Sequence, residues 1–194
     1  MLKPGEVHVW LVRLEGETAA LRRECSHRAL RALLEMVTGA RVEFAVAEKG
    51  KPYLPGAPEV RFNLAHSHDL ALVAVALGVD VGVDIERLRP LPEYAAIAER
   101  FFPPVEREGL DERDFFRRWT RIEAQLKARG IGLHGAGAEL GGDWTVESID
   151  AGPAFAAAVV VERAGMRVVV HELRNEPNFS TRSREDAEKD AEEH

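Results

Sequence analysis

Val81-Gly82-Val83-Asp84-Ile85-Glu86-Arg87 constrains this chain more than any other stretch. Apolar residues alternate there with Gly82, Asp84 and Glu86, and a period of two is the signature of a strand. Asp84 and Glu86 therefore leave the same face. Two neighbouring carboxylates repel, and an apolar strand is a costly place to keep both ionised. A hard cation with oxygen ligands, Mg²⁺ or Ca²⁺, would resolve the conflict. So would a strand that simply ends here, with both side chains in water. These residues alone leave both readings open.

Composition narrows what the rest can be. The chain has 194 residues, 45% of them hydrophobic and 30% charged, which suits one globular unit or two small halves sharing a core. No apolar run reaches the ~18–20 residues of a membrane span, so no membrane partner is expected. Met1-Leu2-Lys3-Pro4 lacks the apolar core of a secretory signal, and a cytoplasmic location is expected. Cys25 is the sole cysteine, which excludes a disulfide framework and a thiolate zinc site. The formal charge is −7. Residues 175–194 hold seven acids against Arg182, Arg184 and Lys189, so this acidic tail carries −4 and the body −3. Such a chain has no broad nucleic-acid-binding surface.

Glu6 to Leu14 alternates as a strand. Thr18 caps a predicted helix over about 19–37, studded with Arg22, Arg23, Arg28 and Arg31, and Thr38-Gly39 ends it. Val42 to Ala47 reads as a short strand, followed by a glycine–proline turn bearing Lys51. Val60 to Leu64 and Leu70 to Leu77 read as a hairpin whose polar tip carries His66 and Ser67. After the 81–87 strand, Tyr94 to Phe102 and 104–110 read as helices. A stronger helix runs from Phe115, capped by Asp114, to about Arg129 and stops at Gly130. Gly130 to Gly142 reads as a mobile glycine-rich loop. Trp144 to Ile149, Ala154 to Glu162 and Met166 to Leu173 read as three antiparallel strands. The implied division is an N-terminal half over 1–78, a C-terminal half over 79–174, and a charged tail over 175–194 expected to lack fixed structure.

A second motif sits on the 115–129 helix: Trp119-Thr120-Arg121-Ile122-Glu123-Ala124-Gln125-Leu126-Lys127. Glu123 and Lys127 are four apart and share a face, which alone is an ordinary surface ion pair. The combination is less ordinary. G-V-D-I-E is followed, 39 positions from Asp84 to Glu123, by W-T-x-x-E-A-x-x-K. This resembles the 4′-phosphopantetheinyl transferase superfamily, with its (V/I)-G-(V/I)-D and (F/W)-(S/C/T)-x-K-E-(A/S)-x-x-K hallmarks. Gly50-Lys51-Pro52 resembles the family's G-K-P, and Phe62-Asn63-Leu64-Ala65-His66-Ser67 its F-N-(I/L)-S-H-S. Arg100-Phe101-Phe102 with Glu106 resembles R-F-F-x-x-x-E, and Gly130-Ile131-Gly132-Leu133 resembles G-K-G-L. The match spans roughly residues 27–133 in order and fits the Sfp-like type, in which one chain holds two similar halves.

The resemblance implies an α+β fold of two similar halves, each a small antiparallel sheet packed with helices and related by a pseudo-twofold. It implies transfer of the 4′-phosphopantetheine arm of coenzyme A to a serine of an apo acyl or peptidyl carrier protein, releasing adenosine 3′,5′-bisphosphate, by a monomer. It also implies a metal, Mg²⁺ or Mn²⁺, on Asp84, Glu86 and Glu123. Glu123 would deprotonate the serine and Lys127 would balance charge on the leaving phosphate. Arg28, Lys51, His66, Asp84 and Lys127 would engage coenzyme A. Glu106 matches an acid of secondary role. Three positions depart from the family: Ile122 and Ile131 each stand where it has a lysine, and Ala65 replaces the first serine of S-H-S, losing a hydroxyl donor toward coenzyme A. These departures keep open a degenerate coenzyme A-binding paralogue without transfer; the three carboxylates also suit a small Mg²⁺-dependent phosphoester hydrolase. The family's carriers usually present an acidic recognition helix, so Arg113, Arg117, Arg118 and Arg121 form a candidate docking face.

Overall fold

The computed structural model describes residues 2–131 and 143–173. The elements run β1 (Glu6–Arg13), α1 (Ala19–Thr38), β2 (Ala45–Val46), β3 (Pro52–Tyr53), β4 (Val60–Ser67), β5 (Leu70–Leu77), β6 (Val81–Arg87), α2 (Tyr94–Phe101), a 3₁₀ turn (Pro104–Glu106), α3 (Glu112–Arg129), β7 (Thr145–Ser148), β8 (Phe155–Val161) and β9 (Arg167–Leu173). The architecture is α+β, as expected. The expected loop over 130–142 falls, from residue 132, outside the described residues, as does the 175–194 tail.

One sheet has the order β4-β5-β1-β9 and the other β6-β8-β7, with β2 and β3 forming a two-stranded ribbon. Strand β5 explains how they stack. Its sequence, LALVAVAL, is apolar at every position, and its two faces go into different cores. Leu70, Leu72, Ala74 and Ala76 meet Val81, Val83 and Ile85 of β6 and Val159 and Val161 of β8. Ala71, Val73 and Val75 meet Leu30, Leu33 and Leu34 of α1. The first sheet is thus covered on one face by α1 and on the other by the second sheet, and a strand buried on both faces cannot alternate. The far face of the second sheet carries Ala158 and Val160, which pack with Ala124 of α3.

Two polar side chains of β4 fasten the sheets together. The Val83 N–H donates to Asn63 Oδ1 at 2.9 Å, and the Arg87 N–H donates to Ser67 Oγ at 3.0 Å. His66 and Ser67 were expected in the hairpin turn; they lie instead on β4, which continues to Ser67. The turn is the pair His68-Asp69, with His68 at φ 57°, a left-handed conformation that histidine tolerates better than most residues.

Other expectations need correction. Helix α3 starts a turn earlier than Phe115, because the Asp114 N–H donates to Asp111 Oδ1 at 2.7 Å and Asp111 is the cap. Of Val42 to Ala47, only Ala45–Val46 is a strand. The three-stranded antiparallel meander stops after two strands. Strand β8 already has β6 on one side and β7 on the other, so no edge remains for β9. Strand β9 crosses to the first sheet and pairs parallel with β1, Val7 opposite Val168 and Trp10 opposite His171.

Candidate active site

Gly82 decides the geometry. A Cβ built on it would lie 1.9 Å from the Ala124 carbonyl oxygen and 2.5 Å from the Ala128 nitrogen. Only glycine lets the α3 backbone rest on β6, and Ala124 and Ala128 keep the helix side of the seam equally thin. Asp84, two positions along the same face, is pressed beside the helix and is 6% exposed. Lys127, one turn after Glu123, donates from Nζ to Asp84 Oδ1 at 2.6 Å. The other oxygen, Asp84 Oδ2, is buried and accepts no hydrogen bond. Burial pushes the Asp84 carboxyl up to about 6, Lys127 opposes the shift, and the charges of Glu123 and Glu86 add to it. Burial likewise raises Glu123, against Lys127 and with Glu86. Glu86 sits at the wetter end of the strand, where its Oε2 accepts from Arg89 at 3.1 Å and from Ser67 Oγ at 3.4 Å.

The three carboxylates expected to act together therefore do feel one another's charge. Among the described residues, no three His, Cys, Asp or Glu side chains are closed onto a common point that would ligate an ion. Lys127 holds the place beside Asp84. The donor chemistry nevertheless fits a hard divalent cation: every donor is a carboxylate oxygen, and Asp84 Oδ2 has a lone-pair face without a partner.

The remaining predicted residues fall in two places. Burial lowers the basicity of His66, and His27, Arg23 and Lys127 add to that effect, so a cationic rim runs from α1 to the carboxylates. Arg28 lies on the same side. With His27, Arg31, Phe44 and Leu64 it lines an open groove of about 550 Å³ between α1 and β4. Lys51 is elsewhere. Its Nζ donates to Asp80 Oδ1 at 3.0 Å and to the Ala128 carbonyl at 2.5 Å, in the last turn of α3 and five residues past Glu123.

Two of the family departures acquire a packing reason. Ile122 joins the apolar cluster of Phe101, Phe115 and Trp119 between α2 and α3. Ala65 is 6% exposed and lies in the core between the sheets, on the face of β4 opposite the groove. Its expected role as a lost hydroxyl toward a ligand does not suit that orientation. Asn63 and Ser67, which hold β6 in place, are positions that motif spacing underplayed; two polar residues at i and i+4 on an otherwise apolar strand were the available signal.

Comparison with known proteins bears on this arrangement directly. Residues 80–162 match the family model described as the 4′-phosphopantetheinyl transferase superfamily. Over this region the chain is similar to the 4′-phosphopantetheinyl transferase superfamily. The match begins at Asp80 and ends just past β8, so it takes in the Gly82 seam, Asp84, Glu86, Glu123 and Lys127. The chain is similar to the 4′-phosphopantetheinyl transferase HetI of Nostoc sp., 42% identical over 107 residues, covering 50% of this chain and 45% of HetI. It is similar to the transferase Sfp of Bacillus subtilis, 32% identical over 99 residues, covering 47% of this chain and 43% of Sfp. It is also similar to the transferase AcpT of Salmonella typhi, 32% identical over 135 residues, covering 66% of this chain and 65% of AcpT. The chain thus spans less than half the length of HetI and of Sfp.

Proposed function

We propose that this chain belongs to that superfamily and transfers the 4′-phosphopantetheine arm of coenzyme A to a serine hydroxyl of an apo carrier protein, acyl or peptidyl, as a cytoplasmic monomer. The observation that carries the proposal is the Asp84 carboxylate, buried on the Gly82 seam with one oxygen on Lys127 and the other without a hydrogen bond. Burying a charge so incompletely is costly unless the site serves a ligand.

In the proposed reaction the serine oxygen bonds to the phosphorus bearing the pantetheine arm. The bond from that phosphorus to the bridging oxygen breaks, and adenosine 3′,5′-bisphosphate leaves. Glu123 takes the serine proton; its raised proton affinity brings it nearer the range where a general base works well. Asp84, Glu86 and Glu123 would hold Mg²⁺, which when bound supplies positive charge to the pyrophosphate oxygens. Lys127 places its ammonium against charge developing on the leaving phosphate. His66 lies on the cationic rim, where it can donate to a phosphate, and Arg28 in the α1 groove suits the nucleotide end of coenzyme A. Lys51, expected in this set from the resemblance, is left out of it, because its ammonium is engaged by Asp80 and by the Ala128 carbonyl. The exposed Arg113, Arg117 and Arg121 recur every four residues along α3 and suit an acidic carrier helix. Arg118 does not join them, since its Nη1 is buried.

Intact-mass spectrometry of apo carrier proteins incubated with the protein, coenzyme A and Mg²⁺, with and without chelator, tests the proposal. A chelator-sensitive gain of one phosphopantetheine arm is expected. Coenzyme A binding with no gain on acyl, polyketide or peptidyl carriers would replace this reading with a non-transferring paralogue. Phosphate release from simple esters without a carrier would replace it with a hydrolase.

A further inference from the structure

We infer that Lys51 is a positioning residue for the site, holding α3 against the start of β6, and that it is not a ligand for the phosphates of coenzyme A. Three observations converge. The Lys51 ammonium joins two elements at once: Asp80, the residue before β6, and the carbonyl of Ala128 in the last turn of α3. The side chain is 17% exposed. Its stem lies along Gly130, the left-handed cap of α3: a Cβ on Gly130 would be 3.4 Å from Lys51 Cβ and 3.5 Å from Cδ.

The last carbonyls of a helix lack intrahelical donors and carry the negative end of its dipole. In α3 the Gly130 N–H serves the Leu126 and Lys127 carbonyls, and the Ile131 N–H serves Leu126. Lys51 serves Ala128. Ala128 is also one of the two residues whose backbone abuts Gly82, and Lys127 precedes it. A cation fixed there therefore sets how far α3 slides along β6, and with it the meeting of Lys127 and Asp84. The base of the lysine is equally fixed, because Ala47 N–H donates to the Lys51 carbonyl at 2.9 Å. To reach a phosphate, the ammonium would have to abandon both an ion pair and a helix-end carbonyl, leaving each without its donor.

This inference rests on the proposed transfer reaction for its kinetic test, but not for its structural one. In Lys51→Met, which keeps the stem and removes the charge, kcat should fall about tenfold while coenzyme A affinity by calorimetry stays within about twofold. Amide hydrogen exchange at residues 128–131 should accelerate about tenfold, which needs no carrier and no turnover. Asp80→Asn removes the other anchor and touches no ligand; it should lower kcat in the same direction and leave coenzyme A affinity unchanged. Loss of coenzyme A affinity in Lys51→Met, with exchange at 128–131 unaltered, would overturn the inference. So would tighter coenzyme A binding by Asp80→Asn, the result of freeing a phosphate-binding lysine. Failure of the wild-type chain to modify any carrier would sink the transferase reading and leave the exchange result standing.

Discussion

Helix α1 lies on its sheet through Leu30, Leu33 and Leu34, a full layer of branched side chains, whereas α3 lies on β6 through Ala124 and Ala128 opposite a residue with no side chain. The thick seam stands the helix away from the sheet and leaves at its rim a groove wide enough for a nucleotide-sized ligand. The thin seam brings the α3 backbone down onto β6. It pins polar side chains at its border, so that Asp84 and Lys127 meet in one orientation. Binding space and reactive geometry thus come from opposite packing choices, made on two helices of one chain.

Gly82→Ala should have the largest effect. The added methyl would meet backbone atoms at 1.9 and 2.5 Å, and backbone cannot rotate aside. We expect a loss of about 3 kcal/mol or more by urea unfolding, and in the surviving fold a fall in kcat of about a hundredfold from a displaced α3. Leu34→Ala is the matched change in the thick seam. It should cost about 2–5 kcal/mol through the cavity it leaves, with kcat of the folded fraction near that of the wild type. Equal damage to kcat from both would break the comparison.

How much of this was legible in the sequence follows the same division. The thin seam was readable, because G-V-D-I-E and E-A-x-x-K are local patterns with the periods of a strand and a helix. Their small and charged residues have few structural excuses. What escaped was decided between elements distant in sequence. Nothing in Arg167–Leu173 says that β8 has no free edge, so the crossing of β9 to β1 was invisible. Asn63 and Ser67 look like turn chemistry until β6 is laid alongside them. Lys51 was seen as a lysine in a motif, and only the fold shows both its acceptors, 29 and 77 positions away.

The thin seam should also respond to pH in its own way. Asp84 is raised from 3.8 to about 6, chiefly by burial. A carboxyl raised in the fold favours the native state when protonated, so its contribution is present below about pH 4 and is lost as pH rises through 6. The loss is at most roughly 3 kcal/mol. Asp84→Asn should therefore gain stability relative to the wild type between pH 5 and about 8, while transfer disappears. Mg²⁺ should raise the wild-type unfolding temperature at pH 8 and leave the variant's unchanged. A variant that is less stable than the wild type at pH 8 without metal would show that the Lys127 pair outweighs the burial cost.

The α1 side of the first sheet holds a titratable network of the opposite sign. His8 on β1 and His171 on β9 share a hydrogen bond of 3.0 Å, and the His8 Nε2 lies 3.2 Å from Glu6 Oε2. Arg167 closes the other end of the strand pair on Glu6 at 3.0 Å. Trp10 stacks on His171, ring centroids 5.0 Å apart. Burial lowers His171 below its usual value of 6.5, and the neighbouring His8 adds to the effect. A histidine lowered in the fold binds its proton more readily when unfolded, so stability is present above 6.5 and falls as the pH drops below it. His66 acts with the same sign. His171→Phe keeps the stack on Trp10 and removes the titrating ring. Urea unfolding at about pH 7.5 and 5.5 should show a smaller acid loss in the variant, by no more than roughly 1 kcal/mol, since one net hydrogen bond is at stake. An equal loss in both proteins would place the acid sensitivity on His66 and the α1 groove, and the hold of β9 on β1 would then be independent of pH.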